Sequence, residues 1–145
     1  MIKVNFYGLA TKEDSKLLFA VIMTKFNGQW IYVRHRDRNT WEIPGGHREE
    51  NESIDDTASR ELFEETGATK FKLTPICIYS VVRDNNVNSV ESFGQLYYSE
   101  VETIESQLHF EISKIKLFYD IPEDLTYPLI QPFLHKKALE FLKEI

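Results

Sequence analysis

Three glutamates, Glu61, Glu64 and Glu65, fall at spacings of three and four in a stretch whose other residues favour helix. Such positions are neighbours on a helix surface, where like charges repel. At about 100° per residue, Ile54, Ala58 and Leu62 fill a sector of about 80°. Glu65 points inside that sector, Glu61 lies about 20° beyond its edge, and Glu64 lies further out on the same side. Two carboxylates therefore aim where the apolar stripe aims, towards the body of the protein. Buried carboxylates are costly unless paired or ligated to metal. A divalent cation relieves both the burial and the repulsion, and an oxygen-only donor set suits Mg²⁺ or Mn²⁺ rather than zinc. A carboxylate beside a water activated by such a cation can take its proton, so the cluster has the parts for metal-assisted hydrolysis. Arg60 can reach Glu64 at spacing four, or Asp56 in the opposite direction.

The elements that must hold this cluster are also readable. Ser53 is a suitable N-cap, Asp55 and Asp56 fill a first turn, and Gly67 sits where a helix stops, which predicts a helix over 53–66. A second helix is predicted over 129–143, with Leu134, Ala138 and Phe141/Leu142 at helical spacing and a packing role. Runs rich in β-branched and aromatic residues predict strands over 2–7, 17–25, 30–35, 71–82, 91–101 and 116–118. Asn27-Gly28 between two of these runs is a hairpin signal. No repeat, low-complexity tract or linker interrupts the pattern, so the expectation is one domain over 1–145, of mixed α/β class with layered helices and sheet.

The residues from 45 to 67 resemble the Nudix box. That pattern is glycine, five residues, glutamate, seven residues, Arg-Glu-aliphatic, one residue, Glu-Glu, one residue, glycine, aliphatic. It falls here on Gly46, Glu52, Arg60, Glu61, Leu62, Glu64, Glu65, Gly67 and Ala68, with all seven charged or glycine positions matched. Two departures remove no ligand. Ala68 is smaller than the usual aliphatic residue, and Asn51 replaces a frequent glycine while still tolerating the left-handed conformation. The segment 41–46, Trp-Glu-Ile-Pro-Gly-Gly, looks like the lead-in to the box in MutT-like members, a branch that tends to act on nucleoside triphosphates. The resemblance implies an α/β/α sandwich with a mixed sheet and flanking helices. It implies that Glu61, Glu64 and Glu65 hold Mg²⁺ or Mn²⁺ with the Gly45 carbonyl as a further ligand, that Arg60 orients a glutamate, and that Glu52 supports the box or touches the metal cluster through water. Glu61 is the expected general base, and Glu111 is the candidate for the further glutamate that joins the site from outside the box.

The expected activity is hydrolysis of a nucleoside triphosphate, standard, oxidised or otherwise modified, to monophosphate and pyrophosphate. The enzymatic alternative is a Nudix hydrolase of nucleotide sugars or dinucleoside polyphosphates. The alternative of another class is a nucleotide-binding sensor without catalysis, which the intact Glu61, Glu64 and Glu65 oppose. Arg34, Arg36 and Arg38 form a basic cluster near Trp41 that can meet substrate phosphates, and His47 lies in the box loop near the expected substrate. Trp30, Trp41 and Phe93 are the aromatics considered for stacking on a base.

Other features narrow the class. His35, His47, His109 and His135 show no metal-site spacing, and Gly45-Gly46 lacks the Lys-Ser/Thr of a phosphate loop. The single cysteine, Cys77, leaves no partner for an intrachain disulfide and reads as a core residue. A net charge of −6 argues against general binding to duplex nucleic acid, while a small anionic substrate remains compatible because bound cations invert the local field. Residues 1–9 lack the signal-peptide pattern and the longest apolar run, 17–23, is too short for a membrane span, so the cytoplasm is the expected compartment. Oligomeric state is not legible.

Overall fold

β2 (Leu17–Phe26) is apolar at almost every position, as a strand covered on both faces must be. Ala20 and Ile22 enter one core cluster, and Val21 and Met23 the other. In the computed structural model, which describes residues 1–85, 87–105 and 112–144, β2 accordingly lies inside a sheet with a helix on each side.

The sheet is built from β1 (Ile2–Tyr7), β2, β3 (Gln29–His35), β4 (Gly45–His47), β5 (Ala68–Asp84), β6 (Ser89–Ile104) and β7 (Ile112–Phe118). Its order is β1-β5-β6-β2-β3-β7; β2 and β6 run parallel and the other neighbours antiparallel, which makes the sheet mixed. The free edge of β2 is shared between two partners. Lys25 and Phe26 pair with β3, and Phe19, Ala20 and Val21 pair with β4. The sheet therefore forks at β2, and the fork is where the glycine pair enters.

α1 (Ile54–Thr66) lays Ile54, Ala58 and Leu62 on one face of the sheet, against Leu17, Ala20, Ile22, Ile78 and Tyr97. α2 (Gln131–Lys143) lays Leu134 and Ala138 on the other, against Val21, Met23, Trp30, Tyr32, Tyr79 and Leu96. This is the expected α/β/α sandwich.

Local signals operate as their chemistry requires. Ser53 Oγ accepts the Asp56 N–H at 3.1 Å, and Asp56 returns a carboxylate to the Ser53 N–H at 3.3 Å, closing a capping box. Gly67 ends α1 at φ 77° with its N–H donating to the Phe63 carbonyl at 2.8 Å. Asn27 (φ 51°) and Gly28 (φ 78°) make the β2–β3 turn, and Asn51 adopts φ 65° in the box loop. Ala68 is fully buried in the α1-side core, where its small side chain is a matter of packing. Cys77 is buried too, and burial pushes its thiol up to about 11.

The expected strands 71–82 and 91–101 are longer than their hydrophobic runs, because pairing continues through polar residues to the hairpin that joins them. β4 is absent from the strands that β-branched and aromatic runs predict, although the family resemblance places a strand and turn over 41–46. Its Gly45-Gly46-His47 has no strand propensity and is held by its partner β2. No described helix is long and apolar enough to cross a membrane.

Candidate functional site

The helical wheel of α1 sets how deep each glutamate goes. Glu65 is 6% exposed, while the side chains of Glu61 and Glu64 are 13% and 30% exposed, the order expected from their angles to the apolar stripe.

Arg60 organises the outer part of the cluster. Its Nε donates to Glu52 Oε2 at 2.6 Å and its Nη2 to Glu52 Oε1 at 2.9 Å, a two-pronged contact. Nη1 reaches Glu61 Oε1 at 2.5 Å and Glu64 Oε2 at 3.2 Å, and Nη2 also donates to the His47 carbonyl at 3.0 Å. These bonds to Arg60 hold the Glu52 carboxyl down at about 2. Glu61 goes the other way. Burial, and then the charge of Glu65, push it up to about 7 against the pull of Arg60. Burial raises Glu65 as well, opposed by His35 and by the Gly45 N–H.

The inner part of the cluster was not legible in the sequence. The His35 Nε2 lies 2.8 Å from Glu42 Oε1 and 3.1 Å from Glu65 Oε2. It is aligned for a good hydrogen bond with neither oxygen, so it acts as a shared ion-pair partner between them. Glu42 first and Glu65 second raise the imidazole to about 10, favouring its charged form. Arg38 Nη1 approaches the other Glu42 oxygen at 3.3 Å, and the Gly45 N–H donates to Glu65 Oε1 at 2.8 Å. A polar chain thus runs from Arg38 through Glu42, His35 and Glu65 to Gly45. His35 and Glu42 carry no motif spacing. They meet because Val33 bridges Glu42 across the fork, which only the fold reveals.

Both glycines of β4 are required by crowding. A Cβ on Gly46 would stand 2.9 Å from Glu61 Oε1 and nearer still to Oε2. A Cβ on Gly45 would stand 2.9 Å from the Val21 Cα and nearer still to the Ala20 carbonyl oxygen. Gly46 therefore makes room for the Glu61 carboxylate and Gly45 for the β2 backbone.

The ligands that the box resemblance implies, Glu61, Glu64, Glu65 and the Gly45 carbonyl, offer oxygen only, and burial without full neutralisation raises the Glu61 and Glu65 carboxyls. That chemistry fits a hard divalent cation. Among the described residues no three His, Cys, Asp or Glu side chains are already gathered about one point, because the carboxylates face Arg60, His35 and the Gly45 amide. Glu111 lies outside the described residues.

These groups line one side of a cleft of about 1350 Å³. Its floor is apolar, with Phe19, Val21, Ile43, Tyr79, Val81 and Leu134, and Arg36, Arg38, His47 and Arg83 stand among its polar lining. Arg36 and His47 are among the residues that line the cleft. Arg34 and Trp41 are not among its lining. The Arg34 guanidinium lies over the Trp41 ring at 5.6 Å, and Trp41 packs edge-on against Phe118 at 5.4 Å, so the pair belongs to the flank of β3 and β7. Trp30 is buried beneath Lys25 and His135, and Phe93 lies on the α1 face beside Tyr7.

Residues 15–132 match the family model of the NUDIX domain. YtkD of Bacillus subtilis (strain 168), which carries the provisional name 8-oxo-dGTP diphosphatase, is 33% identical over 106 residues, 72% of this chain and 64% of that protein. A MutT-like protein of Streptomyces ambofaciens is 38% identical over 48 residues, 33% of this chain and 31% of its own length. The chain thus spans less than two thirds of either relative. Among solved structures, a mutant of the Bacillus subtilis pyrophosphohydrolase BsRppH superposes with a TM-score of 0.76 at 25% identity, covering 96% of this chain and 90% of that one. A UDP-X diphosphatase shares the fold at a TM-score of 0.72 and 18% identity, over 94% of this chain and 68% of that one.

Proposed function

Because this chain belongs to the NUDIX domain family, we propose that it is a divalent-metal-dependent hydrolase that cleaves a nucleoside triphosphate, standard or chemically modified, to a monophosphate and pyrophosphate. One observation carries the reading. The half-buried carboxylates of α1, braced by the Arg60–Glu52 pair, open onto a cleft with an apolar floor and basic groups among its lining. The similarity to YtkD and to the pyrophosphohydrolase supports a phosphoanhydride as the bond cut.

Glu61, Glu64, Glu65 and the Gly45 carbonyl would hold Mg²⁺ or Mn²⁺. The bound ion would supply charge neutralisation at the phosphates and acidify water. Glu61 takes the proton from the attacking water, in a position that the Gly46 backbone leaves open for its carboxylate. Arg60, fixed from behind by Glu52, holds Glu61 and Glu64 in place against their mutual repulsion. Arg36 and His47 bind phosphate oxygens from the cleft wall. The apolar floor keeps water away from the nucleoside end of the substrate.

The test is a panel of nucleoside triphosphates, nucleotide sugars and dinucleoside polyphosphates incubated with Mg²⁺ or Mn²⁺, with products separated by ion exchange. Pyrophosphate released from triphosphates by the wild type, and lost in Glu61→Gln, is the expected result. Cleavage confined to the sugars or dinucleotides would reject the triphosphate assignment. Nucleotide binding without turnover of any compound would reject catalysis.

A further inference from the structure

A cleft for a nucleotide must hold a planar base as well as phosphates, and most of the aromatic rings near this one are already covered. Trp30 and Trp41 lie outside it, each covered by a cation. Tyr127 lines it, but the Arg38 guanidinium sits 5.8 Å over that ring and bonds to its hydroxyl. Tyr79 is 2% exposed. Phe19 differs from all of these. It lines the cleft, it is only partly buried, and its ring contacts are with other rings: Tyr79 at 5.4 Å, tilted, and His47 at 6.0 Å, edge-on.

The sheet has a place built for this ring. Phe19 is paired with His47 on one side and Gly94 on the other, and Gly94 is paired in turn with Tyr79. A Cβ on Gly94 would stand 2.8 Å from the Phe19 carbonyl oxygen and nearer still to ring atoms Cδ2 and Cε2. The missing side chain at Gly94 is therefore what lets the Phe19 ring lie across β6 towards Tyr79. The neighbouring pair in the β2–β4 register is Ala20 with Gly46, the glycine over which Glu61 sits. Phe19 and Glu61 thus line the same cleft, the ring from the α2 side of β2 and the carboxylate from α1.

We infer that Phe19, laid into the slot left by Gly94, is the platform on which the heteroaromatic base of the substrate stacks. The inference rests on the nucleotide reading of the cleft. Stacking tolerates any base, because every base has a π-face, so this platform confers a preference for nucleotides over base-free phosphates.

The experiment is calorimetric, with adenosine and guanosine 5′-monophosphates compared with ribose 5-phosphate in the presence of Mg²⁺. The wild type is expected to bind the nucleotides at least about fivefold more tightly than the base-free sugar phosphate, since stacking of one base is worth about 1–3 kcal/mol. That ratio falls towards one in Phe19→Leu and Gly94→Ala and is retained in Phe19→Tyr, which keeps a ring. In the wild-type complex the base protons also shift upfield in the NMR spectrum through the ring current of Phe19. A wild type without the preference, a Phe19→Leu protein that melts normally and keeps the ratio within twofold, or base protons that do not shift would each overturn the inference. The binding ratio does not depend on turnover. A protein that cleaves nothing yet shows it would retire the proposed catalysis while keeping the platform.

Discussion

Replacing Gly46 by alanine tests the geometry of the site with a single carbon. The added Cβ would stand 2.9 Å from Glu61 Oε1 and closer to Oε2, whereas ordinary contact begins at 3.4 Å. The carboxylate must retreat by about 1 Å, and a misplacement of that size in a catalytic group costs on the order of 100-fold in rate. The stability cost is small, since the obstacle is the tip of a side chain and Gly46 does not need a left-handed φ. Gly46→Ala is therefore expected to melt within a few degrees of the wild type while kcat for a nucleoside triphosphate falls by about 100-fold. Gly45→Ala differs in kind, because its Cβ meets the β2 backbone and the loss appears first as unfolding. Gly8→Ala is the control, with its nearest obstacle, Thr11 Cγ2, at 3.7 Å. The assays are steady-state hydrolysis and a thermal melt on the same preparations. If Gly46→Ala keeps activity within threefold, or loses it only in step with its melting temperature, the role given to the Gly46–Glu61 contact is wrong.

Three further outcomes are expected. Arg60→Met leaves Glu52 and Glu61 without their shared cation; because Arg60 is itself 21% exposed, the cost in urea unfolding is about 2 kcal/mol, below the range for a fully buried pair. Glu52 titrates near 2 in the folded protein against about 4.3 when unfolded, so its contribution is complete above about 4.3 and is lost as pH falls towards 2. The stability gap between wild type and Glu52→Gln should therefore close over that acid window, and a gap that stays constant down to pH 2 would contradict the pairing. Ser53→Ala removes the acceptor for the Asp56 N–H and should cost about 1 kcal/mol, or about 3 °C in melting temperature, with no effect on base preference.

The arrangement also explains how a site rich in carboxylates survives folding. Each deep glutamate has cationic or amide partners, with His35 shared between two of them. Glu65 leans on His35 and the Gly45 amide, Glu61 on Arg60, and Glu42 is shared by His35 and Arg38. Because Glu61 and Glu65 stay raised after these contacts, bound cations should stabilise the fold as well as serve the chemistry.

The sequence alone determined whatever depends on neighbours within a few residues. The start and stop of α1, the turn at Asn27-Gly28, the angles of Glu61, Glu64 and Glu65 around their helix and the reach of Arg60 to Glu64 are local consequences of backbone periodicity and capping. The box residues were legible for that reason, since they occupy one loop and one helix. What only the tertiary structure decided lies across strands. β4 exists because β2 offers it an edge, His35 meets Glu42 and Glu65 because the sheet forks there, and Phe19, Gly94 and Tyr79 become neighbours through pairings that span up to 75 positions. Arg34 lies in β3 and Arg36 in the turn just past its end, yet one covers Trp41 and the other lines the cleft. Strand periodicity says which face a residue takes, but what covers that face is set by elements far away in the chain, and no local spacing encodes it.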